Sequence, residues 1–159
     1  MYNIDMMKAV ITDFSRVLLF PKDDSFHSGL NALNNQLLDA NPDYDFWRYF
    51  KINNELLNYC KSLDIPVYIF TSETIQDHPA VKILIKGTFK DVFSAKKLGL
   101  NKKEASSYKH LAKLLGHKPS EIIYIDDNHD NFTAAKKAGC KAILFKSNDD
   151  VIDKLELGS

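Results

Sequence analysis

The chain has 159 residues, 45% of them hydrophobic and 26% charged, the composition and size of one ordinary globular domain. Its 21 basic and 21 acidic side chains cancel, so no global field argues for nucleic acid or an anionic membrane as partner. No apolar run approaches the roughly 20 residues of a membrane span, and Met1 to Val10 lack the charged and apolar regions of a secretory leader. A cytoplasmic protein is expected, with residues 1–159 as a single domain. Cys60 and Cys140 form no metal-ligand spacing or disulfide framework and read as buried small hydrophobes. The lysine-rich stretch from Lys82 to Lys118 reads as a solvated face.

In chain order, Lys8 to Asp13 is a buried strand ending in an acid. Leu30, Leu33 and Leu37 give the apolar stripe of a helix that Asn41-Pro42 stops. The aromatic stretch from Tyr44 to Phe50 reads as core packing. A helix follows Asn53, with Leu56, Leu57, Cys60 and Leu63 facing inward. Pro66 to Thr71 is a second strand and Asp91 to Ser94 a short third. Helix then runs from near Glu104 to Gly116. The strand Ile122 to Asp126 leads into a helix from about Asn128 to Gly139, closed by the glycine in the left-handed conformation. The strand Lys141 to Phe145 and a last helix after Ser147 complete the chain. Short apolar strands alternating with helices predict a parallel sheet covered on both faces.

In such sheets ligands bind outside the carboxyl ends of the strands. Asp13, Thr71 with Ser72, and Asp126 with Asp127 all stand at such ends. That set suits phosphoryl transfer, which needs the phosphoryl group positioned, its charge neutralised and an in-line nucleophile. Asp13 can be that nucleophile, passing through an aspartyl-phosphate. Mg²⁺ prefers hard oxygen ligands, which Asp13 and Asp127 could supply. Thr71 and the amides after it could donate to phosphate oxygens, and Lys102 could bridge nucleophile and phosphate. The five histidines, His27, His78, His110, His117 and His129, form no ligand pattern.

Four segments from Lys8 to Phe145 resemble, in order, the motifs of the haloacid-dehalogenase-like hydrolase superfamily. They are Ala9-Val-Ile-Thr-Asp13-Phe-Ser15-Arg-Val17-Leu18, Tyr68-Ile-Phe-Thr71-Ser72, Gly99-Leu-Asn-Lys102-Lys103 through Tyr108, and Ile123-Tyr-Ile-Asp126-Asp127 through Asn131, followed by Ala134-Ala135 and Gly139. The resemblance implies a Rossmann-like three-layer α/β/α fold with a minimal helical cap over approximately residues 20–51. It also implies Mg²⁺ held by Asp13, the backbone carbonyl of Ser15 and Asp127. Asp126 and Asn131 would stand behind those ligands. Lys102, placed by its spacing to Tyr108, would serve in catalysis, with Lys103 beside it as the competing lysine. Thr71, Ser72, Ser15 and Arg16 would line the substrate or phosphate site.

The chain departs from the family at Ser15, where phosphatases usually carry an aspartate that protonates the leaving group. Serine is far too weak an acid for this, and loss of a positioned general acid typically lowers the rate by about 10² to 10⁴. Arg16 stands in a usual glycine position and brings a cation beside the site. A cap this small leaves the site open. That suits a phosphorylated macromolecule, or a phosphorylated small molecule enclosed by a second subunit in a homodimer. The expected activity is slow Mg²⁺-dependent phosphomonoester hydrolysis. The alternatives are a phosphate-binding or interaction module with impaired turnover, and a haloacid-dehalogenase-type hydrolase, whose halide leaves without a proton.

Overall fold

A computed structural model describes residues 6–156; residues 1–5 and 157–159 of the expected domain span lie outside the described residues. The central sheet has five parallel strands in the order β5-β4-β1-β6-β7. They are β1 (Ala9–Thr12), β4 (Val67–Thr71), β5 (Val92–Ser94), β6 (Ile122–Asp126) and β7 (Lys141–Leu144). A two-stranded antiparallel pair, β2 (Leu19–Pro21) with β3 (Phe50–Ile52), lies outside this sheet. The helices are α1 (Leu30–Ala40), α2 (Phe46–Tyr49), α3 (Asn54–Ser62), α4 (Pro79–Ile85), α5 (Ala95–Leu98), α6 (Ala105–Leu115), α7 (His129–Ala138) and α8 (Asn148–Glu156).

Strand side chains alternate between faces, and each face finds its own helices. Val10, Val67, Ile69, Ile123 and Ile125 pack with Leu56 and Leu57 of α3, Val81 of α4 and Val151 of α8. Ala9, Ile11, Phe70, Ile122 and Tyr124 pack with Leu111 of α6 and Ala134 and Ala135 of α7. The result is the three-layer α/β/α sandwich that the strand pattern and the resemblance predict. Gly139 closes α7 with a φ of 101°, the left-handed conformation expected of it.

The elements differ from the sequence reading mainly between β1 and α3. There Leu19, Phe20 and Pro21 pair with Ile52, Lys51 and Phe50. This clamps the base of the segment 22–49, which holds α1 and α2. Tyr44, Phe46 and Phe50 are buried, and the Phe46 and Phe50 rings stack at 4.5 Å, so these three rings of the aromatic stretch are core, while Tyr49 is exposed. Asn53 ties this segment to the rest of the fold. Its Nδ2 donates to the Val17 carbonyl at 2.9 Å and to Asn148 Oδ1 at 2.7 Å, while its Oδ1 caps α3 at Leu56 N. No helix among the described residues is long and apolar enough to cross a membrane.

The chain runs outward from β1 to β4 and β5, then crosses back to β6 and β7 on the other side. The carboxyl ends of β4, β1 and β6 therefore border the point where strand order reverses, where open α/β sheets hold their ligands.

Candidate active site

Asp13 follows β1 directly, and its N–H donates to the Ile125 carbonyl at 2.7 Å, extending the ladder to β6 by one residue. Registers of Thr12 with Ile69 and Ile125 bring Asp13, Thr71 and Asp126 to one edge. The loop before α6 delivers Lys102 to the same edge, where the Tyr108 hydroxyl donates to the Lys102 carbonyl at 2.6 Å. That bond accounts for the spacing of the two residues. The Lys102 ammonium meets Asp13 Oδ1 at 2.7 Å, Asp126 Oδ2 at 2.9 Å and the Phe70 carbonyl at 2.9 Å. Lys103 instead pairs with Asp130 at 3.1 Å on the surface, its side chain 62% exposed.

Asp126 is 0% exposed and fully occupied. Its Oδ1 accepts from Asn128 N at 2.8 Å, and its Oδ2 accepts from Asn131 Nδ2 at 3.1 Å and from the Tyr124 hydroxyl, besides Lys102. Such a set of donors holds a buried carboxylate in place. Asp126 thus stands behind the site as an anchor for Lys102, and Asn131 braces it. Tyr124 and Asn128 are partners of Asp126 that the sequence reading did not single out. The signal for Tyr124 was present, since residues two apart on a strand share a face.

Carboxylate oxygens of Asp13, Asp126 and Asp127 lie within 4.8 Å of one another. With Asp126 saturated, Asp13 and the exposed Asp127 are the two with oxygens to spare. The bridge from Ser15 to Leu19 engages the carbonyls of Phe14 and Leu19 and leaves that of Ser15 aside. Two carboxylates and a carbonyl are hard oxygen donors of the kind Mg²⁺ takes, so the residues present fit that ion. The electrostatics agree. One buried ammonium faces two buried carboxylates, an excess of negative charge that a divalent cation would offset.

Burial is the largest influence on the acidities here. Burial pushes the Asp13 carboxyl up from 3.8 to about 7; Lys102 opposes this and Asp126 adds to it. Burial, then Asp126, also raises Asp127. Burial works against the Lys102 charge, but Asp13 and Asp126 overcome it and hold the ammonium above its ordinary range. A carboxyl raised on folding keeps its proton longer in the native state than in the unfolded one. Its contribution to stability is therefore present at low pH and is lost as pH rises from about 4 to about 7, by at most about 4 kcal/mol. The metal-free protein is expected to melt at lower temperature at pH 8 than at pH 5 through this group, and added Mg²⁺ to stabilise more at pH 8. Thermal melts with and without Mg²⁺ at those two pH values check it; equal Mg²⁺ effects at both would contradict it.

Arg16 adopts a φ of 62°, in the left-handed region where a non-glycine residue carries strain. Its guanidinium donates to the Phe26 carbonyl at 3.0 Å and the Ser28 carbonyl at 2.8 Å. The side chain expected to line the substrate site thus ties down the entry to α1, while its charge still lowers Asp127 slightly. The Ser15 hydroxyl is buried and has no hydrogen-bond partner among the described residues. Thr71 is buried at the end of β4 and Ser72 is exposed just beyond it. Both cysteines are buried, their thiols pushed up to about 12 for Cys60 and about 11 for Cys140 by that burial.

A parallel α/β sandwich with acids at the tips of two neighbouring strands and a lysine between them defines the class. The chain belongs to the haloacid dehalogenase-like hydrolases, whose family profile matches residues 8–139. Among curated relatives, the enolase-phosphatase E1 of Aquifex aeolicus (strain VF5) is 37% identical over 93 residues, covering 56% of this chain and 41% of that protein. That of Persephonella marina (strain DSM 14350 / EX-H1) is 34% identical over 97 residues, covering 57% and 41%. The chain thus spans about two fifths of the length of these relatives. A HAD family enzyme of Bacteroides thetaiotaomicron, solved in complex with magnesium and inorganic phosphate, shares the fold. It superposes with a TM-score of 0.61 at 13% identity, covering 89% of this chain and 96% of that one. A HAD-like family hydrolase of Porphyromonas gingivalis superposes with a TM-score of 0.65 at 14% identity, covering 96% and 97%.

Proposed function

We propose that the chain is a Mg²⁺-dependent phosphomonoester phosphatase, working slowly through an aspartyl-phosphate at Asp13. The observation that carries this reading is the Lys102 ammonium 2.7 Å from Asp13 Oδ1, beside three carboxylates within 4.8 Å of one another. The enolase-phosphatase relatives and the neighbour holding magnesium and phosphate support it. The ion would be held by Asp13, Asp127 and the Ser15 carbonyl, and would supply charge neutralisation for the phosphoryl oxygens.

The chain's own residues account for the rest. Lys102 orients the Asp13 carboxylate and lies where it can meet a phosphoryl oxygen. Thr71, Ser72 and the Ser15 hydroxyl donate to the other oxygens, which gives the buried Ser15 Oγ the partner it lacks. Asp13 forms a bond to phosphorus as the ester P–O bond breaks. Because serine cannot protonate it, the departing alkoxide takes its proton from solvent water. Water then attacks phosphorus, inorganic phosphate leaves and the Asp13 carboxylate is restored. The substrate class is a phosphate monoester, small or macromolecular.

The test is a panel of phosphate monoesters assayed for inorganic phosphate release. Release that requires Mg²⁺, stops with a chelator and is absent in Asp13→Asn is the expected result. Full turnover in Asp13→Asn would remove the proposal. The Ser15 replacement favours one second reading, a phosphate-binding module; Mg²⁺-dependent binding of the esters with no turnover by wild type would establish it.

A further inference from the structure

The segment from Phe26 to Asn31, at the entry to α1, is tied at both ends to loops of the site. At one end the Arg16 guanidinium donates to the carbonyls of Phe26 at 3.0 Å and Ser28 at 2.8 Å. Arg16 follows Ser15 in a tight loop, where its N–H donates to the Leu19 carbonyl at 2.7 Å and the Phe14 carbonyl accepts from Leu18 and Leu19 at 2.9 Å. At the other end Asn31 Oδ1 accepts from the N–H groups of Thr74 at 3.3 Å and Ile75 at 2.9 Å. Those two amides belong to the connection that follows Thr71 and Ser72 at the end of β4, and they have no other acceptor among the described residues.

The tie has little slack. Only Gly29 and Leu30 separate Ser28 from Asn31, and Leu30 is buried in the core. The φ of 62° at Arg16 is costly for a residue with a side chain, and two hydrogen bonds from a charged donor offset that cost. Glycine would take the same backbone conformation freely but would hold nothing. Beyond α1, the Tyr44 and Phe46 rings lie 5.3 Å and 4.6 Å from the ring of His78, in the same connection from β4 to α4.

We propose that residues 26–31 form a strut that fixes the separation between the loop carrying Ser15 and the loop carrying Ser72, with Arg16 and Asn31 as its positioning residues. Arg16 sets the direction of the Ser15 carbonyl, and Asn31 holds the loop after β4 at a set distance from it. The cap segment is then a fixed part of the site and does not swing over it as a lid. The strut rests on the phosphatase reading only for what the two loops hold, a cation at Ser15 and a phosphoryl group at Ser72.

Amide hydrogen exchange in the Mg²⁺-free protein reads the strut from one end to the other. Arg16→Gly keeps the left-handed backbone and cuts the near end. Exchange at Thr74 and Ile75 should then quicken by at least about tenfold, while sheet amides such as Ile69 and Ile125 keep their wild-type rates. An arginine that only pinned Phe26 and Ser28 would leave Thr74 and Ile75 unmoved. Asn31→Ala cuts the far end without changing any charge, and should weaken Mg²⁺ binding, measured by calorimetry, by about threefold to tenfold. Asn31→Asp keeps the accepting oxygen and should restore that affinity. Unchanged exchange at Thr74 and Ile75 in Arg16→Gly, wild-type Mg²⁺ affinity in Asn31→Ala, or no recovery in Asn31→Asp would overturn the proposal. Absence of Mg²⁺ binding by the wild-type protein would instead remove the phosphatase reading, and the exchange result would still decide the strut.

Discussion

Ser15→Asp should raise turnover of alkyl phosphates by about 10² to 10⁴, the usual worth of a positioned general acid. The wild-type leaving alkoxide has only solvent to protonate it. An aspartate at position 15 would stand two residues along the chain from Asp13, where the serine hydroxyl is buried, and burial favours the protonated form that an acid catalyst needs. The gain should be much smaller on para-nitrophenyl phosphate, whose leaving group departs as a stable phenolate and needs no proton. Steady-state kcat on both esters, for wild type and variant, gives the answer. An equal gain on both would show that the replacement acts through binding or folding, and no gain on either would show that proton donation does not limit the wild type.

Lys102→Met should be the most damaging single change to the site, and its effect should depend on pH. The ammonium is the cation in contact with both Asp13 and Asp126, which are 7% and 0% exposed. Removing one partner of a buried ionic group typically destabilises by about 3–5 kcal/mol, because the remaining charge is left uncompensated. Here two carboxylates would be left together, and Asp13, already raised by burial, would be driven further toward its protonated form. Protonation relieves the repulsion, so the loss of stability should be larger at pH 8 than at pH 5. Phosphate release should fall by about 10² to 10³, the scale for losing a charge-stabilising group. Lys103→Met, which removes only an exposed pair with Asp130, should melt within about 0.5 kcal/mol of wild type. Urea denaturation of the two variants at both pH values separates them; similar behaviour would mean that Lys102 does not hold the acidic pair.

The central sheet was legible because each of its strands is a nearly unbroken apolar run between turn residues, as Ile122 to Ile125 illustrates. The β2–β3 pair was not. Each strand has three residues, too few for a period to show, and the partners Leu19 and Ile52 are joined only through the α1 and α2 segment. Helix α4 was missed because Ile83 stands 79% exposed among its apolar residues, which blurs the boundary between inner and outer faces. In the site, Asp13 and Asp127 could be picked out because strand ends are written in the sequence, whereas Lys102 was singled out by the resemblance of its spacing to Tyr108 to the family motif. The saturation of Asp126 could not, since its donors come from β6, α7, the loop before α6 and a backbone amide. Nor could the tie from Arg16 to the carbonyls of Phe26 and Ser28, which depends on the path of an irregular loop.

Titration with Mg²⁺ by calorimetry, on wild type and on Asp13→Asn, Asp127→Asn and Asp130→Asn, bears most directly on whether two strand-tip carboxylates share one cation. One ion per wild-type chain is expected, with affinity lower by at least about tenfold in each of the first two variants and unchanged in Asp130→Asn. Wild-type affinity in Asp127→Asn would contradict the account.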